Sequence, residues 1–374
     1  MKSGRSCAIV KFLSIYIDVG LGPNRISLYI SEALSLLGHE CVRIPLEPLL
    51  PARIRKALFS SYRKWCFSGS TKHTVLFSNG LIYQAIYGAL QFESLFHRDV
   101  SVRKLFYREK PGAVIATSFY PAFFAKMWRR RFSLNYKIFG ALVDFVVSPA
   151  WRIPIDGIFA ANESSCSYLR NALRNSSPCF ATGIPVPLSV KKSLAPLSKR
   201  KDVLLTGGGW GLGKIDELTG ALLSNPDVMR LIVICGGNEE LRGRISRQFG
   251  REIDSGKLLA EGLVEDMSVY YRNARVLVSK AGGVTLSEAA CYGTPIVVSS
   301  ALPGHEEGNR RLFKDSHACI TADSPKEISE AVSLLLTNFG LSKNLAQKAA
   351  GLVNSKSTTQ IASLVLREME HVDA

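Results

Sequence analysis

The sequence predicts an α/β protein of two domains, each a parallel sheet with crossover helices. Three observations carry that prediction. Short runs rich in Ile, Val and Leu alternate with segments of helical period along the chain. The alternation breaks once, in a stretch rich in Pro, Lys and Arg, and then restarts. After the break, each strand-like run ends in a Gly-rich or polar turn that opens a helical pattern, as parallel sheets require. With 374 residues, 47% of them apolar, the chain has enough material for two separate cores.

The first strand is expected over residues 8–17, with Lys11 interrupting its apolar run. Lys2 and Arg5 precede it and no small-residue cleavage site follows, so the start reads as a strand rather than a signal peptide. A helix is expected over 25–37, where Ile26, Tyr29, Ile30, Ala33, Leu34 and Leu37 fall on one face and Gly38 supplies the stop. Further strands are expected at 41–44, 113–117, 137–143 and 157–161. The segment 184–201 holds Pro185, Pro187 and Pro196 among basic residues and reads as a connection. The expected division is therefore an N-terminal domain over 1–187, a linker over 188–201 and a C-terminal domain over 202–354. A helix over 355–374 is expected to return to the first domain. Strands of the second set are expected at 203–206, 231–235, 276–279 and 296–299, and the tail from 325 to 372 reads as helical with a break near 338–342.

The charge is uneven. Residues 1–187 hold 24 basic and 10 acidic side chains, whereas residues 188–374 hold 23 and 21. A basic half suits an anionic partner, whether nucleic acid, a membrane surface or a phosphorylated substrate. Apolar stretches such as 113–125 and 138–147 are shorter than the ~20 residues a spanning helix needs, so membrane contact is expected to be peripheral. The eight cysteines form no CxxC pair and have no His companion at zinc-ligand spacing, which points to free thiols in a reducing, cytoplasmic setting.

Three segments of the second half carry candidate chemistry. The turn Gly207-Gly208-Gly209-Trp210-Gly211 follows a strand and precedes a helix, where glycines let backbone N–H groups approach an anion. A dinucleotide site would want an acidic residue ending the next strand; that strand ends instead in Cys235-Gly236-Gly237-Asn238. The run Lys280-Ala281-Gly282-Gly283-Val284-Thr285-Leu286-Ser287-Glu288 ends a strand and opens a helix. Its free N–H groups and hydroxyls suit a diphosphate, and Glu288, one turn in, suits the two hydroxyls of a ribose. After the next strand comes Pro303-Gly304-His305-Glu306-Glu307-Gly308-Asn309, expected as a polar loop whose imidazole and paired carboxylates suit sugar hydroxyls.

These motifs, with Gly293-x-Pro295, Gly262-Leu263-Val264-x-x-Met267, Asp144-Phe145 followed by Trp151, and Thr182-Gly183-Ile184-Pro185-Val186, run through nearly the whole chain. The set resembles the monogalactosyldiacylglycerol synthase and processive diacylglycerol glucosyltransferase family, a relative of the lipid II-forming N-acetylglucosaminyltransferase of peptidoglycan synthesis. The resemblance implies a GT-B fold, two Rossmann-like domains facing across a cleft, and inverting transfer of a hexose from a UDP-sugar to a lipid acceptor such as diacylglycerol. By that likeness Glu288 holds the ribose, and Gly282, Gly283 and Thr285 hold the diphosphate. His305 and Glu306 meet the sugar, and Val264 lies near the base. Gly236, Asn238, Met267, Lys280, Ala281, Glu307 and Asn309 complete the donor side, while Gly20, Gly22 and Asn24 form the acceptor-side loop. No metal bound through an Asp-x-Asp motif is implied, the chain has no such motif, and no cofactor besides the UDP-sugar substrate is expected.

Three positions depart from the family pattern. Gly20-Leu21-Gly22 is followed by Pro23-Asn24 where the family has His, Ser148 stands where a second His is usual, and His305 replaces a Gln. Asp144 is then the expected catalytic base, closing a strand that faces the cleft. Two further readings stay open: a non-catalytic nucleotide-sugar-binding protein or subunit, and a UDP-sugar epimerase of the same fold. In the stretch 49–92, Arg53, Arg55, Lys56, Arg63, Lys64 and Lys72 alternate with Leu58, Phe59, Tyr62, Trp65 and Phe67, joined later by Arg129, Arg130 and Arg131. The mixture suits RNA or an anionic bilayer; the resemblance selects the membrane and argues against nucleic acid.

Overall fold

The computed structural model describes residues 9–18, 20–60, 79–95, 100–191 and 196–370. Arg63, Lys64, Lys72, Tyr62, Trp65 and Phe67 of the basic and aromatic stretch lie outside the described residues, as do Lys2, Arg5, Cys7 and Cys66.

Two six-stranded parallel sheets form the protein. The first has strand order β2-β1-β3-β4-β5-β6, with β1 Lys11–Tyr16, β2 Glu40–Pro45, β3 Ala113–Ala116, β4 Lys137–Ala141, β5 Gly157–Ala160 and β6 Cys179–Ala181. The second has order β12-β11-β10-β7-β8-β9, with β7 Asp202–Thr206, β8 Arg230–Ile234, β9 Leu258–Glu261, β10 Ala274–Lys280, β11 Ile296–Ser300 and β12 Ile320–Thr321. The central strands are apolar on both faces because helices cover both sides. Leu13 lies between Val42 and Val114, and Leu204 between Ile232 and Leu277.

Lys11, the break in the first apolar run, is the first residue of β1, where its ammonium meets Glu40 at 2.9 Å and Glu109 at 2.7 Å. Helix α1 (Gly22–Leu36) starts three residues earlier than expected because Pro23 occupies its first turn, where the missing N–H costs nothing. It buries Ile26, Ile30 and Leu34 completely, each such side chain contributing about 1.5–3 kcal/mol. Helix α2 (Gly80–Leu95) packs Tyr83, Tyr87 and Leu90 inward, and Tyr87 donates to the Ala150 carbonyl at 2.7 Å. No described helix is long and apolar enough to cross a membrane.

The chain crosses between the halves twice. Ile184 and Val186 leave the first sheet towards the second, and the last helix, α3 (Ser357–Glu370), comes back. Ser357 Oγ donates to the Ile184 carbonyl at 2.8 Å, and Thr358 Oγ1 accepts from Val186 N at 3.0 Å. Ile361, Ala362 and Val365 are buried, and Lys137 of β4 bonds the Glu368 carbonyl. One apolar cluster spans both sheets, with Phe145 edge-on to Phe313 at 5.2 Å between ring centres.

Candidate nucleotide-sugar site

Each sheet has one place where its strand order reverses, between β1 and β3 in the first and between β7 and β10 in the second. Loops at such points diverge and leave a crevice. Here the two crevices face each other and merge into one cavity of about 660 Å³. Its floor on the C-terminal side is Gly207, Gly208, Gly209 and Gly236, with Val264 and Met267 at one end. Gly20 and Gly22 face them from the N-terminal side.

The turns after β7 and β8 interlock through backbone contacts that exclude a side chain. Gly237 N donates to the Gly209 carbonyl at 2.9 Å, and a Cβ at Gly236, where φ is +62°, would stand 2.4 Å from that same oxygen. Asn238, behind the wall, caps the following helix by accepting from Leu241 N at 3.0 Å.

After β10, helix α4 (Gly283–Cys291) begins at the cavity edge, so Gly282 lines it as the N-cap, its own N–H already given to the Lys280 carbonyl at 2.9 Å, while Gly283 and Thr285 line it with free N–H groups of the first turn. Lys280 runs beneath the Gly208 turn. A Cβ at Gly282 would sit 3.2 Å from its Nζ and 3.9 Å from Thr285 Oγ1. A cation, two glycine turns and a helix N-terminus thus converge as a diphosphate would need. Ala281 is buried behind them, and the buried Ser287 hydroxyl has no partner among the described residues.

The segment 303–309 is not the expected loop. Gly304, at φ +101°, turns the chain into helix α5 (His305–Asp315), and Glu306 and Glu307 lie in its first turn, where the dipole favours carboxylates. Glu306 is buried and ion-paired with Lys280, and it accepts from Leu302 N at 2.9 Å. Burial pushes its carboxyl upward, but Lys280 and His305 outweigh that and hold it below the ordinary value of 4.5. Glu307 is exposed and points away from the cavity.

Asp144 lies three residues beyond the end of β4 rather than closing a strand: Leu142 N still donates to the Phe159 carbonyl at 3.0 Å, and the chain bends from Val143 onward. Its Oδ1 accepts from Asn309 Nδ2 at 2.8 Å, and its Oδ2 is 4.0 Å from His305 Nε2. Asn309 is fully buried: the same amide donates to the Ala281 carbonyl at 3.0 Å, and its oxygen accepts from Phe145 N at 2.9 Å. It acts as a bracket between the domains. Asn24, outside the cavity lining, donates to Asp18 Oδ1 at 3.3 Å and bonds Arg43.

Glu288 is only 1% exposed and does not line the cavity. Tyr29 donates to its Oε1 at 2.5 Å, and Arg25 Nη1 donates to its Oε2 at 3.3 Å. Arg25 Nη2 also donates to the Val264 carbonyl at 2.9 Å. Burial first, and the Glu288 carboxylate next, push the phenols of Tyr29 and Tyr271 far above their usual range, so both remain donors. The sequence placed Tyr29 on a buried helix face but gave no sign of these contacts, since the partners are 259 and 263 residues apart.

The cavity also has an apolar lobe that the sequence did not reveal. Ile54, Leu58 and Phe59 line it from one side, Tyr83, Ile86 and Leu90 of α2 from the other, and Trp151 closes its base.

Comparison with known proteins agrees with this geometry. Residues 221–351 match the family described as Glycosyl transferases group 1. The processive diacylglycerol beta-glucosyltransferase of Bacillus subtilis (strain 168) is 27% identical over 278 residues, 71% of each chain. A structure of S. aureus MnaA with UDP aligns over 97% of both chains at a TM-score of 0.64 and 12% identity. The MurG of Acinetobacter baumannii aligns over 96% of this chain and 99% of its own at a TM-score of 0.58 and 14% identity. By its paired sheets, its matched segment and its sequence relatives, the chain is a glycosyltransferase of the GT-B fold, similar to the processive diacylglycerol glucosyltransferases.

Proposed function

We propose that the protein transfers a hexose from a UDP-sugar to the hydroxyl of a lipid acceptor, with inversion, while resting on an anionic membrane surface. The single observation that carries this reading is the shape of the cavity, which joins the glycine turns and Lys280 directly to an apolar lobe. A diphosphate fits the first part by charge and hydrogen bonding. An acyl chain fits the second, lined by Leu58, Phe59, Ile86 and Leu90. The relatives' names supply diacylglycerol as acceptor, and the MnaA structure supplies UDP as ligand.

In this reading the diphosphate lies over Gly208, Gly282 and the first turn of α4, where Lys280 and the helix dipole stabilise the leaving UDP. Val264 and Glu288 hold base and ribose, and His305 and Glu306 meet the sugar. Asp144, between sugar and acceptor lobe, takes the proton from the acceptor hydroxyl as the lipid oxygen attacks the anomeric carbon and the bond to UDP breaks. Labelled UDP-sugars incubated with the protein and extracted membrane lipids should give labelled glycolipid. Sugar release without lipid product, across a panel of donors and acceptors, would overturn the transfer reading. Pro23 and Ser148 in place of the family histidines favour one rival, a nucleotide-sugar-binding protein; UDP affinity without any turnover in that assay would establish it.

A further inference from the structure

We propose that the N-terminal segment of α1 is a plug seated in the nucleoside end of the donor site, so that nucleotide enters only after the two domains have parted. The proposal rests on the reading that Glu288 and Val264 hold the ribose and the base. Both acceptors are already satisfied, and from the other domain. The Tyr29 hydroxyl and the Arg25 guanidinium cover the two oxygens of Glu288 at 2.5 and 3.3 Å, much as a ribose diol would. The second Arg25 nitrogen holds the Val264 carbonyl at 2.9 Å. The diphosphate end differs, since Gly208, Gly282 and Lys280 all face the cavity.

The plug is packed as well as hydrogen-bonded. A Cβ at Gly209 would stand 2.2 Å from Leu21 Cγ, and one at Gly22 would stand 3.5 Å from Val284. Arg25 cannot swing away by itself at little cost, because Glu288 would be left as a buried carboxylate without its counter-charge. Withdrawal of α1 with its domain lets water and then the nucleoside replace Arg25 and Tyr29 together. Only the parted fraction of molecules binds UDP, and the apparent affinity falls by that fraction.

Calorimetry with UDP and with inorganic pyrophosphate tests this on the full chain. In Arg25→Met/Tyr29→Phe, Glu288 lacks both donors and the closed form is disfavoured. The dissociation constant for UDP should fall by about tenfold or more, that for pyrophosphate should stay the same, and small-angle scattering without ligand should show a larger radius of gyration. Tyr29→Phe alone removes one hydroxyl from an unchanged ring, so it secures the test if the double variant misfolds; it should tighten UDP binding by a smaller factor. Unchanged or weaker UDP binding in folded variants would overturn the plug. Glu288→Gln added to the unplugged background should weaken UDP binding again. If it does not, the assignment of Glu288 to the ribose falls, and the plug with it; if it does while unplugging brought no gain, the donor site stands and only the plug is refuted.

Discussion

The buried Glu306 and the half-buried Asp144 call for different measurements, one of stability and one of turnover. Glu306 is held below 4.5 by Lys280 and His305 against the pull of burial. A depressed carboxyl contributes stability that is fully present above its unfolded value and is lost as pH falls through its folded value. Lys280→Met leaves Glu306 buried without its ion-pair partner, and the expected destabilisation near pH 7 is about 3 kcal/mol or more. Below about pH 4.5 the wild type loses the same contribution, so urea melts of the two proteins should converge in acid. A gap that stays constant with pH would show that the pair does not couple to stability. Asp144 is tested differently. The side chain in Asp144→Asn can still present an oxygen to Asn309 but cannot take a proton. Turnover should fall by about 10²-fold or more with UDP affinity little changed. A parallel loss of melting temperature and affinity would instead mark Asp144 as structural.

At the scale of elements, the start of α4 packs directly against the backbone of the other domain. A Cβ at Gly283 would lie 2.2 Å from the Val143 carbonyl and 2.9 Å from Asp144 Cα. Both are backbone atoms that no rotamer change can move. Gly283→Ala should therefore push the Asp144 turn away from the helix and lower both turnover and melting temperature, by more than Gly22→Ala, whose Cβ would only touch Val284 at 3.5 Å. Equal, small effects from both variants, read by calorimetry and product assay, would show that this contact does not position Asp144. Much of this level was legible in the sequence. The β-branched runs of β7, β8, β10 and β11 and the glycines behind them announce strand, turn and helix together. The short edges did not show: β6, β9 and β12 have two to four residues each and lack a long apolar run. The segment 303–309 was misread as a loop because its polarity hid the acidic first turn of a helix. The pairing of Arg25 and Tyr29 with Glu288 was illegible for another reason: periodicity reports which face is buried, not which distant residue it meets.

For the whole molecule, the arrangement of charge bears on the proposed contact with an anionic membrane. The basic excess lies in the first 187 residues, the half that also carries the apolar lobe. Beside that lobe, in the short helix Ala52–Arg55, Ile54 turns inward while Arg53 and Arg55 are exposed, and on α2 Leu81 is 80% exposed. Exposed basic and apolar side chains on the two helices that also line the apolar lobe suit a surface that attracts by charge and then admits hydrocarbon. Each basic residue near an anionic bilayer contributes about 1 kcal/mol, and salt screens that contribution. The full-length protein should therefore sediment with vesicles containing anionic lipid at low ionic strength and be released as salt rises. Arg53→Glu/Arg55→Glu should reduce binding at low salt and flatten its salt dependence, while UDP affinity, set in the other domain, stays constant. Equal sedimentation with neutral and anionic vesicles would reject charge as the attraction, and the acceptor would then have to reach the lobe through the apolar contact of residues such as Leu81 alone.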